Sequence, residues 1–154
     1  MGRIIKTAKT KVSIGAIADD TFTLASAKAD ATYKAIDGLT NIGGYGGTRQ
    51  LITSDHVNSG QTKKAKGSIN YGSMALTCDR QPEDVGQLAA IEAVESHERF
   101  NIKVEIPIGK GKVQIDYFPA YVMSNQKDFG GANDTQKLQL TLELDDKPVT
   151  ETPA

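Results

Sequence analysis

From Lys137 to Leu144 leucine takes every second position: Leu138, Leu140, Leu142 and Leu144 alternate with Lys137, Gln139, Thr141 and Glu143. Side chains on a strand point alternately to opposite faces, so this octet reads as a strand with one dry face and one wet one. The same period runs through Phe100–Ile108, where Ile102, Val104 and Ile106 alternate with Asn101, Lys103 and Glu105. It resumes at Val113, Ile115 and Tyr117 after Gly109-Lys110-Gly111, which reads as a hairpin turn. Pro119 marks a bulge or an edge in that return strand, because proline cannot donate to a ladder. Shorter extended runs lie at Val12–Ile17, Tyr33–Ile42, Arg49–Ser54 and Ser73–Cys78.

One stretch breaks the pattern. Pro82-Glu83-Asp84 opens a helix, with proline at the first helical position and acids at the positive end of the dipole. Val85, Leu88, Ile91 and Val94 lie three apart and predict its apolar stripe, to about Ser96. Gly86 inside it costs about 1 kcal/mol relative to alanine. Thr21–Asp30 carries no decisive pattern. Asp55–Gly72 is nearly free of apolar residues and reads as a long polar loop, part of it a strand extending beyond the body. It has too little apolar surface to offset its ordering entropy, so it is expected to be mobile in the free subunit. The order of strands, helix and strands predicts a mainly β (α+β) fold. This is an antiparallel β-sandwich or split barrel with one flanking α-helix and a long polar loop. Residues 1–154 are expected to form a single domain with a mobile N-terminal segment and a polar tail, 147–154, that frays.

The chemistry-bearing residues do not converge. Cys78 is the only cysteine, which excludes an internal disulfide and a cysteine metal cluster; it ends an apolar alternating run and reads as a buried, inert thiol. His56 and His97 each lack a second histidine or cysteine at ligand spacing. Ser54-Asp55-His56 holds triad residue types, but neighbours in sequence cannot form triad geometry. Asp19-Asp20 and Asp145-Asp146 point to opposite faces at strand ends and make no carboxylate dyad. Gly43-Gly44-Tyr45-Gly46-Gly47 is followed by Thr48-Arg49-Gln50-Leu51-Ile52, a strand pattern, whereas a phosphate loop opens a helix; it reads as a turn. No catalytic, cofactor-binding or metal-binding residue is assigned, and no enzyme activity is expected. No run approaches the roughly 20 apolar residues of a membrane span, and the N-terminus has no stretch of signal-peptide length, so folding in a cytoplasm without membrane contact is expected.

Charge is more informative in its distribution than in its total of −1, which gives no drive towards nucleic acid. Asp79–Glu98 carries six carboxylates against Arg80, while Arg49–Gly72 carries Arg49, Lys63, Lys64 and Lys66 against Asp55. Opposite patches on a nearly neutral chain suit self-association. Lys63, Lys64 and Lys66 on one side and Glu83, Asp84, Glu92 and Glu95 on the other are the candidate inter-subunit contacts.

The middle of the chain resembles the major tail tube proteins of long-tailed bacteriophages. The matching order is Ile36-Asp37-Gly38-Leu39-Thr40-Asn41-Ile42-Gly43-Gly44, then Leu51-Ile52-Thr53, then a polar basic stretch reaching Lys66-Gly67. Ser73-Met74-Ala75-Leu76-Thr77-Cys78 follows, and then Pro82-Glu83-Asp84-Val85-Gly86-Gln87 into a helix. The terminal strand pair completes a resemblance spanning roughly Tyr33–Leu144, whereas the amino-terminal part does not match. The family's Ile-Asp-x-Thr motif is only approximated by Ile52-Thr53-Ser54-Asp55. The resemblance implies six-subunit rings stacked into a tube, with a β-lined bore conducting the viral genome and the long loop reaching a neighbouring ring. It implies a virion tail location, assembly in the host cytoplasm, and tape measure, tail tip and terminator proteins as partners. Genomic DNA would pass with weak contact, and no cofactor is implied. The rival expectation is a small β-rich carbohydrate- or receptor-binding module, which clustered aromatics would favour; Tyr33, Tyr45, Tyr71, Tyr117 and Tyr121 are scattered.

Overall fold

The leucine octet is the most buried strand of a folded sheet. The computed structural model describes residues 3–152. In order these are β1 (Lys11–Ile17), α1 (Leu24–Ala29), β2 (Lys34–Ala35), β3 (Leu39–Ile42), β4 (Thr48–His56) and β5 (Gln61–Asn70). Then come β6 (Ser73–Asp79), α2 (Val85–Glu95), β7 (Phe100–Gly109), β8 (Lys112–Asp128), β9 (Lys137–Leu144) and β10 (Val149–Glu151). The main sheet is antiparallel in every pair, in the order β2-β1-β7-β8-β9-β6-β3, with β10 also on β8.

β8 is the axis of this sheet. Its 17 residues serve two neighbourhoods: Lys112–Ala120 pairs with β7, and Ala120–Asp128 pairs with β9. The register shifts between Val122 and Ser124, a bulge of the kind that bends a strand. The bulge expected at Pro119 thus lies a few residues further on. Pro119 itself sits where β8 changes partners from β10 to β9 along one edge. Ile14, Ile102, Val104 and Phe118 from one half and Met74, Leu76, Leu138 and Leu140 from the other belong to one core, so the sheet folds onto itself. The four leucines of β9 are at most 5% exposed. Each contributes on the order of 1.5–3 kcal/mol by burial. The ends of the sheet meet as well. β2 and β3 are separated only by residues 36–38, with the Ile36 amide donating to Val12 O (2.9 Å) and the Asp79 amide to Gly38 O (2.8 Å). One short segment therefore fastens β1 to β6 and closes a split barrel.

Helix α2 packs differently from the sequence expectation. It starts at Val85, with Asp84 rather than a residue before Pro82 as its cap; the Asp84 carboxylate accepts the Gln87 amide (3.0 Å). Its buried face is Gly86, Gln87, Ala90 and Ala93, while Val85 and Leu88 from the expected core stripe face outward. Gly86 is the reason. A Cβ there would lie 2.0 Å from Ala35 O, so only glycine lets the helix approach the closing segment this closely. Gln87, 2% exposed, then ties three backbones together: its Nε2 donates to Asp37 O (2.8 Å) and Asp79 O (2.9 Å), and its Oε1 accepts the Gln81 amide (2.9 Å).

Two further corrections concern the segments without a clear sequence pattern. Thr21–Asp30 holds α1, a second helix, boxed at its start by Thr23 and Ser26. The tail expected to fray contains β10, which pairs with Ile115–Tyr117; residues 153 and 154 lie outside the described residues. The N-terminal segment has no helix or strand from residue 3 to 10, apart from a turn, and is exposed from 3 to 9; residues 1 and 2 lie outside the description.

Candidate assembly surface

The polar stretch read as a loop is a β-hairpin. β4 and β5 pair from Thr48↔Asn70 out to His56↔Gln61, with residues 57–60 as the turn. At about 3.3 Å per residue its nine-residue arm is about 30 Å long. All of β4 is exposed, and in β5 only Gly67 is partly covered. The sequence hid this because periodicity reports burial, and neither face of this ribbon is buried within the subunit. A lone two-stranded hairpin is marginal in water.

The ribbon's root is firmly held. Tyr45, at the centre of the glycine run, packs its ring 5.0 Å from that of Phe118 and donates its hydroxyl to Asp116, which also accepts Thr150 Oγ1 (2.8 Å). Burial, then the Asp116 carboxylate, push the Tyr45 phenol far above its usual pKa, so it stays a donor. On the other arm Gly72 takes a positive φ of 83°, a conformation natural to glycine, and its carbonyl accepts the Leu144 amide (3.0 Å). The glycine run is thus a turn around one tyrosine anchor, as a turn was expected.

Register sorts the hairpin side chains onto two faces. Cross-strand partners share a face, and alternate pairs share it with them. Leu51↔Lys66, Thr53↔Lys64 and Asp55↔Thr62 form one face, where Thr62 Oγ1 donates to Asp55 (2.7 Å). Ile52↔Ala65, Ser54↔Lys63 and His56↔Gln61 form the other. The three lysines grouped from sequence are therefore split: Lys64 and Lys66 stand together beside Leu51, and Lys63 points the opposite way. Ser54, Asp55 and His56 alternate between the faces, so the triad types do not converge.

The acidic group is split too. Asp84 is occupied within the chain by the Gln87 and Asp37 amides (3.0 and 3.1 Å). Glu83 precedes the helix. Glu92 and Glu95 are exposed on α2, at the same helical phase as Val85 and Leu88: spacings of three, seven and ten residues fall on one stripe. That stripe points away from the core and runs from apolar (Val85, 57% exposed; Leu88, 46%) to acidic. Among the described residues, none of Lys63, Lys64, Lys66, Glu92 or Glu95 takes part in an ion pair; the pairs present join Lys28–Glu151, Arg99–Asp145, Lys103–Glu105 and Lys137–Asp79. Pattern reading assigned Val85 and Leu88 to the core stripe and gave Leu51 no surface role; all three are exposed.

Reactive chemistry is not assembled elsewhere among the described residues. Cys78 is fully buried, donates weakly to Leu138 O (3.4 Å), and burial pushes its thiol up to about 11, as an inert core cysteine requires. Among the described residues no three His, Cys, Asp or Glu side chains converge as metal ligands, and no helix is long and apolar enough to cross a membrane. A depression of 460 Å³ is lined by Gln81, Pro82, Glu83 and Asp84, and one of 430 Å³ by Thr10, Lys11 and residues 35–39 with Asp84; neither presents an aromatic ring. Asp30 is a structural node instead. Burial works to raise its pKa, but hydrogen bonds from Thr32, Asn101 and the Ala16 amide outweigh it and hold the carboxyl at about 2.

The fold is a split barrel closed by a short segment, flanked by a helix and extended by a bare ribbon, and the comparison with solved structures bears out, at the level of fold, the resemblance read from Tyr33–Leu144. No protein-family model and no curated protein matches the chain. Among solved structures it is similar to the sheath/tube terminator of the extracellular contractile injection system PVC in its extended state (16% identity, 99% of both chains, TM-score 0.71). It is likewise similar to the anti-feeding prophage (AFP) tube-terminating cap (18% identity, 99% of this chain and 94% of that one, TM-score 0.71). The SPP1 tail tube matches at 13% identity over 97% of this chain and 80% of that one, with a TM-score of 0.69.

Proposed function

We propose that this chain is a structural subunit of a bacteriophage tail tube, assembling into stacked, hexameric rings whose β-lined bore conducts the viral genome. The observation that carries this reading is the ribbon β4–β5. It is fully formed yet touches none of its own subunit's core, and its root is pinned by Tyr45. A chain that orders so long an arm without burying it gains from the arm only when another molecule covers it. Closing a ring also removes exposed sheet edges. The shared fold with the SPP1 tail tube adds support. The wet face of β9, with Lys137, Gln139, Thr141 and Glu143, suits a hydrated channel that holds DNA weakly. The subunit is non-enzymatic, resides in the virion tail after assembly in the host cytoplasm, and meets tape measure, tail tip and terminator proteins at the tube's ends and interior.

The rival, a carbohydrate- or receptor-binding module, loses ground because Tyr33 packs on Tyr117 (6.1 Å) and Tyr45 on Phe118, and Phe129, the large exposed aromatic, stands apart from them. Electron microscopy of the purified protein across a concentration series tests the proposal. Rings or tubes with a bore wide enough for duplex DNA are expected; a monomer at millimolar concentration, with and without other tail components, overturns it.

A further inference from the structure

Two surfaces in this molecule are built but uncovered, and they match each other. On the ribbon, the Leu51↔Lys66 and Thr53↔Lys64 pairs present one exposed leucine (66%) beside two ammonium groups without ion-pair partners. On α2, the stripe Val85, Leu88, Glu92 and Glu95 presents two exposed apolar side chains followed by two carboxylates without ion-pair partners. The spacings also agree. Successive same-face pairs on a strand are about 6.6 Å apart, and Leu88 to Glu92, four residues on a helix, is about 6 Å. We infer that the Leu51–Lys64–Lys66 face of the ribbon docks on the Val85–Leu88–Glu92–Glu95 stripe of α2 in a neighbouring copy of this chain.

The inference rests on the tube reading and deepens it by naming the socket. It excludes part of the charged group assembled from sequence. Lys63 lies on the wrong face, Asp84 is consumed as a helix cap, and Glu83 lies outside the stripe. Docking sets Leu51 against Leu88, and the step of about 6.6 Å to the Thr53↔Lys64 pair brings Lys64 to Glu92, with Lys66 flanking the leucine contact and Glu95 one turn further along the stripe. Burying the leucines excludes water from the ion pairs, which strengthens pairs that are weak when fully exposed. An attachment of this kind is sensitive to salt and to the sign of charge at four positions.

The test is a charge exchange on the full chain, with circular dichroism confirming the fold of each variant. Lys64→Glu with Lys66→Glu, and separately Glu92→Lys with Glu95→Lys, reduce tube formation at least tenfold by microscopy and sedimentation. The four changes together restore it. Lys63→Glu assembles like the wild type. Full assembly of either double variant, failure of the quadruple variant to recover, or loss of assembly in Lys63→Glu overturns the docking. A second measurement does not depend on charge. Leu51→Cys with Leu88→Cys, oxidised with copper(II) and air at pH 8, gives disulfide-linked ladders, because the buried Cys78 thiol stays protonated there and does not compete. Tubes that yield only monomers on non-reducing gels overturn the docking while leaving the tube reading intact. A wild-type chain that never assembles defeats both.

Discussion

Strands β9 and β5 are of similar length and both lie in antiparallel ladders, yet one is the centre of the molecule and the other is outside it. β9 alternates leucine with polar residues, and each leucine meets the core. β5 has Lys63, Lys64, Ala65, Lys66 and Gly67 where β9 has its leucines, and nearly every residue is in water. Backbone pairing is present in both. What differs is whether a second layer exists to receive one face. The barrel buries its own apolar faces, and the ribbon leaves both of its faces in water.

Substitution sharpens that contrast. Leu140→Ala, in the middle of β9, removes a side chain that is 1% exposed and is expected to cost about 2–5 kcal/mol in urea unfolding. Leu51→Ala on the ribbon is expected to stay within about 0.5 kcal/mol in the isolated subunit. Equal costs would show that the ribbon packs on its own barrel and would break the comparison.

A smaller effect tests how the helix meets the closing segment. Gly86→Ala improves helix propensity by about 1 kcal/mol, but its methyl collides with Ala35 O. Net destabilisation of about 1–3 kcal/mol is expected from overpacking. A stabilised variant would mean that α2 stands further from residues 35–36.

The smallest effect is a pH dependence confined to the barrel. The Asp30 carboxyl titrates at about 2 in the folded chain, below its ordinary value of 3.8. A depressed folded pKa means that protons favour the unfolded state, so this stabilisation is complete above about pH 4 and is lost as pH falls towards 2. Urea midpoints for the wild type should fall more steeply between pH 5 and 2 than those of Asp30→Asn. Parallel profiles would remove Asp30 from the set of groups that matter.

Legibility followed the same division. Where one face is buried, the sequence period revealed it: β7 and β9 fall where alternation placed them, and the turn lies at residues 110–111, within the expected Gly109-Lys110-Gly111. The ribbon was invisible because neither of its faces is buried within the subunit. Helix α2 was found but turned the wrong way, since Val85 and Leu88 outrank Gly86, Ala90 and Ala93 in hydrophobicity and the small residues are buried by close approach instead. For the candidate contacts, charge sign singles out two segments, but which lysines share a face depends on register, and register is a property of the pairing.

The length of β8 has a consequence for how the barrel comes apart. One strand supplies pairing partners to both halves of the sheet, and Phe118, Ala120 and Val122 line the core on either side of the handover. Neither half retains a complete sheet without it. The barrel should thus behave as one cooperative unit, with amides of β7 and β9 exchanging through the same global opening and no stable half-domain released by proteolysis.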